Sequence, residues 1–281
     1  MRVFPLRTET EETQRHRGEG SRVRNITRYS AAGAEETTDE LVEESPVEFR
    51  LDGVPIAVLM RTPGADEHLG LGFALTEGIV LNRGEIAEVR RVEGSHEGDR
   101  YDIVLSDGVN VDPEQFRRNM FTSSSCGVCG KASIDAVRVT ARTIGEGPAV
   151  DATTLRSFPA TMRSSQHLFS STGSIHAAAA LTPVGDLVAI AEDVGRHNAV
   201  DKLVGRLSED RWPLTDLVLV VSGRLSFEMV QKAGVAGMPI IAGVSGASSL
   251  AVDLGAELGM TVVGFLTEDG FNLYCGETRV C

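Results

Sequence analysis

The sequence predicts an α/β protein, with a β-rich N-terminal lobe of α+β character over residues 21–119 and an α/β core over residues 132–281. Three observations carry this expectation. The apolar runs Leu217–Val221, Pro239–Ala242 and Thr261–Phe265 alternate with segments of helical spacing, the texture of strands covered on both faces. Gly, Ala and Val are abundant while aromatic residues make up 5%, which favours a closely packed α/β core over an aromatic-rich β-sandwich. Asp52-Gly53 stands between Val47–Leu51 and Pro55–Met60, a hairpin signal because Gly tolerates the positive φ of a tight turn.

Taken in order, residues 1–20 hold almost nothing to bury and read as a flexible tail. From Arg22 to Val111 the texture is mostly strand, including Ile86–Val92 and Tyr101–Leu105. Asp66 is placed to cap a helix through Leu69, Leu71, Phe73, Ala74 and Leu75 that ends at Gly78. Residues 120–131 lack apolar periodicity and read as a mobile loop, followed by a helix from Lys131 through Arg142. Ser170–Ser174 reads as a second loop ahead of His176–Ala180. Then come a strand at Leu187–Ala191, helices at Gly195–Leu207, Leu225–Ala233 and Ser248–Leu258, and the three apolar strands named above. No Pro- or Ser-rich linker separates the two lobes, so they are expected to form one compact unit.

Composition narrows the function. A net charge of −13 repels a phosphate backbone and argues against general nucleic-acid binding. No apolar run approaches the ~20 residues of a membrane helix, and the N-terminal stretch lacks the apolar segment of a secretion signal. The expectation is a cytoplasmic protein with reduced thiols. Four cysteines are too few for a disulfide scaffold. Cys275 and Cys281 lie near the C-terminus, where a frayed, dispensable end is expected.

Cys126-Gly-Val-Cys129 is the strongest local signal. The spacing brings two sulfurs within reach on a flexible backbone, which suits thiol exchange, half of a zinc site, or a persulfide donor with a neighbouring thiol. A helix starting at Lys131 would set its positive end beside the sulfurs, and both that end and the lysine favour thiolate. Zinc would need two further ligands, and no second CxxC or HxxxH lies nearby, so no metal site is expected. A thioredoxin-like role is disfavoured because the pair follows a Ser-rich loop. Two small buried side chains remain the bland alternative.

His176 invites comparison with zinc nucleoside deaminases, which carry H-x-E and P-C-x-x-C. Here Ala177 and Ala178 follow the histidine, Ser125 precedes the cysteine pair, and the pair comes first in the chain. Deamination would lack its proton shuttle. Glu192–Lys202 packs many polar groups directly after a strand, and Arg196, His197 and Asn198 at a helix start could hold an anion. Val221–Ser226 repeats the strand–turn–helix pattern, with Ser222, Gly223, Arg224 and Ser226 as a phosphate cradle, and Gly243–Ser249 repeats it again. Neither matches an ordinary nucleotide-binding motif, and together they imply a ligand with several phosphates. Phe265 and Phe271 could stack on a flat heterocycle, and Glu268 or Asp269 could read a guanine edge.

The combination of Phe121–Lys131, Thr172–Ala177, Glu192–Lys202, Val221–Lys232 and Gly264–Tyr274 resembles the formate dehydrogenase accessory sulfurtransferase family, FdhD. The resemblance implies a cytoplasmic homodimer with a cytidine deaminase-like three-layer core. It implies a sulfurtransferase that receives persulfide sulfur from a cysteine desulfurase. The sulfur passes to the molybdenum bis(molybdopterin guanine dinucleotide) cofactor before its insertion into the formate dehydrogenase catalytic subunit. On this resemblance Cys126 carries the persulfide, Cys129 assists, and Phe265, Leu266, Thr267, Glu268, Asp269 and Gly270 form the cofactor-binding stretch. A cofactor chaperone without sulfur chemistry and a zinc-stabilised binding module are the competing readings.

Overall fold

The computed structural model describes residues 20–92, 99–117 and 143–281. Cys126 and Cys129, the 120–131 loop, the Lys131–Arg142 helix and nearly all of the expected N-terminal tail lie outside the described residues. The fold is a mixed α/β arrangement of three sheets.

The N-terminal part opens with a two-stranded antiparallel ribbon, β1 (Ser21–Ser30) and β2 (Gly33–Val42). A four-stranded sheet follows, built from β3 (Ser45–Leu51), β4 (Val54–Arg61), β5 (Ile86–Arg91) and β6 (Asp99–Leu105) in the order β4-β3-β6-β5. The hairpin between β3 and β4 turns where expected. Asp52 and Gly53 both take positive φ, 45° and 81°, the backbone of a turn that matches strand twist.

Helix α1 (Asp66–Thr76) packs on this sheet, and Phe49, Leu69, Leu75 and Ile103 are fully buried between them, while the short helix α2 (Glu114–Arg117) follows β6. Asp66 is not the cap of α1. The N-cap is Ala65, with no side-chain cap bond, and Asp66 is the first helical residue. Its carboxylate is drawn instead to Arg61, whose buried guanidinium reaches both oxygens at 2.7 and 2.9 Å. A buried arginine requires a carboxylate partner, and that need overrides the local capping preference.

The C-terminal part is a six-stranded sheet in the order β12-β11-β10-β9-β7-β8. Strands β9 (Val218–Val221), β10 (Ile240–Gly243) and β11 (Thr261–Gly264) are parallel and wholly buried. Strand β7 (His176–Leu181) runs antiparallel to β9 and to β8 (Leu187–Asp193), and β12 (Asn272–Cys275) closes the other edge. Both faces are covered, as the unbroken apolar runs require. Leu219, Val221, Ile241 and Val262 face α5 (Arg196–Ser208), α6 (Phe227–Val235) and α7 (Ser249–Glu257). Val218, Val220, Ile240 and Ala242 face α3 (Ala152–Ser164).

Two expectations give way. Ser170–Thr172 is the end of helix α4 (His167–Thr172) rather than loop; the loop is confined to Gly173–Ile175. Glu192 accepts the Leu168 and Phe169 amides at 2.9 Å each and so fixes that helix start from a distant strand. The C-terminus is not frayed. The Cys281 amide donates to Val150 and its carbonyl accepts from Ala152, while Cys275 packs against the core from β12. Among the described residues no helix is long and apolar enough to cross a membrane.

Candidate functional site

The parallel strands β9, β10 and β11 all deliver their carboxyl ends to one edge of the sheet, where an open α/β sheet forms its ligand crevice. The N-terminus of β7 and the C-terminus of β8 reach the same edge, because His176 pairs with Asp193 and Ala178 with Val221. Residues far apart in the chain thus meet: His176, Asp193, Arg196 and Ser222.

The loops leaving the strands are bonded to one another. Leu225 N–H donates to Gly246 O at 3.0 Å and Ser248 N–H to Leu225 O at 3.0 Å. Phe265 N–H donates to Ser245 O and Leu266 N–H to Gly243 O, both at 3.0 Å. These bonds tie the three turns to one another.

Ser222 ties the end of β9 to β7. Its Oγ accepts the Ala177 amide at 2.9 Å and lies 3.2 Å from His176 Nδ1. A Cβ on Gly223 would stand 3.4 Å from both His176 Cε1 and Arg196 Cδ, so this backbone, the imidazole and the arginine stem are in direct contact. Burial holds His176 below the ordinary imidazole range; the Arg196 charge adds to this and Asp193 partly opposes it. His176 is accordingly neutral near pH 7.

The Glu192–Lys202 stretch divides into two jobs. Asp193 is fully buried and accepts from Gly195 N–H at 2.8 Å, Asn198 Nδ2 at 2.9 Å and Thr62 N–H at 3.1 Å, with Lys202 Nζ at 2.7 Å. Asn198 also donates to Met60 O and Lys202 to Thr62 O. Asp201 accepts from Thr76 Oγ1 and pairs with Lys232, which in turn holds Glu77. Burial opposes the charge on Lys232, but Asp201 and Glu77 more than offset it and raise its pKa. These residues lock the N-terminal lobe to the sheet, and Asn198 is thereby withdrawn from the expected anion site.

Arg196 and His197 do the other job. Arg196 Nε, His197 Nε2 and Ser226 Oγ are buried with no hydrogen-bond partner among the described residues. Ser226 is the N-cap of α6 yet makes no cap bond, and Gly195, the N-cap of α5, has no side chain to make one. Polar atoms left over at two helix starts suit an anionic group. His197 is pushed down to about 4, by burial first, then by Lys232 and Arg196, against Glu228 and Glu77. It is thus a neutral donor or acceptor rather than a cation.

The Phe265–Gly270 stretch borders the same edge. Phe265 has a left-handed backbone, φ 50°, and its ring is 52% exposed. The ring stands over Gly246, where a Cβ would lie 2.9 Å from Cζ, so only glycine leaves it room. Leu266 is buried in the core and is unavailable to a ligand. Thr267 N–H and Oγ1 both bond Gly270 O, closing a tight turn that leaves Glu268 and Asp269 exposed. Arg224 is exposed beside Gly223. Among the described residues no group of three or more His, Cys, Asp or Glu could hold a metal ion.

Sequence reasoning missed the lobe lock and the His176–Ser222 contact. Only the polar density of Glu192–Lys202 signalled the first, and nothing local signalled the second, which depends on the β7–β9 register.

Residues 42–281 match the FdhD/NarQ family. A Streptomyces avermitilis protein named sulfur carrier protein FdhD is 48% identical over 92% of this chain and 94% of its own length. Its namesake from Mycobacterium tuberculosis is 44% identical over 92% of this chain and 97% of its own. A solved structure assigned as a formate dehydrogenase accessory protein, from Desulfotalea psychrophila, shares the fold with a TM-score of 0.73 at 23% identity, covering 93% of this chain and all of that one. With most of its length matched both by the family and by close relatives, this chain belongs to the FdhD/NarQ family.

Proposed function

We propose that this chain is a sulfurtransferase whose Cys126 takes sulfur from the persulfide of a cysteine desulfurase. It passes that sulfur to the molybdenum bis(molybdopterin guanine dinucleotide) cofactor destined for formate dehydrogenase. The observation that carries the reading is Cys126-Gly-Val-Cys129 inside the span that matches the family, in a chain whose near relatives are named sulfur carriers.

The chemistry balances without an outside oxidant. The Cys126 thiolate attacks the outer sulfur of the donor persulfide; a new S–S bond forms at Cys126 as the donor's breaks, and the desulfurase leaves as thiolate. On delivery the outer sulfur would bond to the acceptor through an electron pair that the acceptor supplies, while the S–S bond on Cys126 breaks and its pair returns to Cys126 as thiolate. Attack by Cys129 on the inner sulfur instead releases sulfide and leaves a Cys126–Cys129 disulfide, which a thiol must reduce before another cycle. A reducing cytoplasm suits both routes, and the homodimer implied by the family resemblance belongs to the same reading.

The acceptor rests at the strand ends. Arg196, His197, Ser222, Gly223 and Arg224 supply donors for phosphates, and exposed Phe265 supplies a stacking surface. Guanine presents N–H donors on one edge, and Glu268 or Asp269 can accept them. A chaperone that binds the cofactor without sulfur chemistry is the second reading. It is favoured by Arg196 Nε, His197 Nε2 and Ser226 Oγ at the strand ends, buried and unpartnered among the described residues, which suit ligand binding by themselves. Formate dehydrogenase maturation in cells carrying Cys126→Ala separates the two. Loss of maturation with nucleotide binding retained supports sulfur transfer, and full maturation makes the chain a chaperone.

A further inference from the structure

The six-stranded sheet ends on β8, which among the described residues pairs only with β7. Along its other side Leu187–Ile190 floors a cleft of 570 Å³, walled by residues of α1, α5 and the α3–α4 junction. An edge strand turns alternate N–H and C=O groups away from its neighbour, so such a floor can bond an extended chain laid beside it. Proteins commonly blunt an edge with proline or lysine, and Leu187-Val-Ala-Ile190 has neither. Val188 is exposed.

The rim adds one exposed cation. Arg206 of α5 is exposed and has no ion-pair partner among the described residues, whereas Arg61, Arg91 and Arg211 each hold an aspartate. Ser165 and His167 line the same cleft, as does His68, whose Nε2 is 3.2 Å from Glu209 Oε2. An exposed guanidinium above an apolar strand edge offers a forked donor to a carboxylate.

We infer that this cleft docks an extended, acidic segment of a partner protein, added to β8 as a further strand with a carboxylate on Arg206. Main-chain bonds supply the affinity, and the arginine–carboxylate pair sets the register.

The test titrates a fluorescein-labelled acetyl-Thr-Val-Glu-Val-Thr-Val-amide peptide into the full-length chain, reading anisotropy and amide exchange. The expected result is saturable binding with slowed exchange along Leu187–Ile190. Binding should weaken roughly tenfold in Arg206→Glu, an exposed position whose fold circular dichroism can check, and vanish when the peptide's Glu becomes Lys. Binding that Arg206→Glu leaves unchanged overturns the inference, as does an absence of protection along Leu187–Ile190. Full displacement by millimolar acetate would show a simple anion site and overturn strand addition.

Discussion

Gly72 of α1 and Gly205 of α5 face each other where the two helices cross, each against the other helix's backbone. A Cβ on Gly72 would lie 1.8 Å from the Asp201 carbonyl oxygen, and one on Gly205 1.9 Å from that of His68. Backbone cannot rotate aside as a side chain can. Gly72→Ala or Gly205→Ala should therefore push the helices apart and cost about 3 kcal/mol or more, read as a lower urea midpoint. Gly84→Ala, where a Cβ meets nothing within 4 Å, should stay within about 0.5 kcal/mol of the parent. Equal stability of all three would refute the close packing.

The same approach of the helices lets polar groups bridge the lobes. Lys202 and Asp193 are 4% and 0% exposed and 2.7 Å apart, so removing one partner strands a buried charge. Lys202→Met should cost about 3–5 kcal/mol in chemical denaturation. The double variant Lys202→Met/Asp193→Asn should recover part of that loss, since no buried charge remains. No recovery would mean that the pair acts through packing alone.

His197 links the crevice to pH. Its folded value, about 4, lies below the 6.5 of an unfolded histidine. Between these values the unfolded chain holds a proton that the folded chain refuses, so stability is complete above pH 6.5 and falls as pH drops toward 4. The loss is on the order of 3 kcal/mol at most. His176, also lowered, adds in the same direction. Urea midpoints at pH 7 and pH 5 should fall less in His197→Gln than in the parent, and parallel falls would contradict this assignment.

For the acceptor crevice, guanosine diphosphate is the fragment to titrate. Arg224→Ala and Phe265→Ala change exposed side chains and should each weaken its binding about tenfold with thermal stability unchanged. Unaltered affinity in both would remove the Phe265–Gly270 stretch and the Ser222–Arg224 turn from the cofactor site.

The sequence is most readable where local chemistry decides. Asp52-Gly53 announces its turn because few other pairs accept two positive φ values, and β9 to β11 announce themselves because strands covered on both faces are apolar throughout. It is least readable where a distant partner decides. Asp66 has the residue type of a cap, but buried Arg61 claims it. Asn198 stands at a helix start like an anion ligand, yet Asp193 and Met60 bind it. Arg196 and His197 share that helix start and keep unpartnered atoms. Residue type alone could not separate these fates, because the lobe lock that separates them is made by residues more than a hundred positions apart.

The central claim rests on Cys126. Incubating the full-length chain with a cysteine desulfurase and cysteine, then mapping adducts by mass spectrometry under non-reducing conditions, tests it most directly. A mass increase of about 32 Da should appear on the Cys126 peptide, persist in Cys129→Ala and vanish in Cys126→Ala. An unmodified Cys126, or sulfur found only on Cys275 or Cys281, would contradict the account.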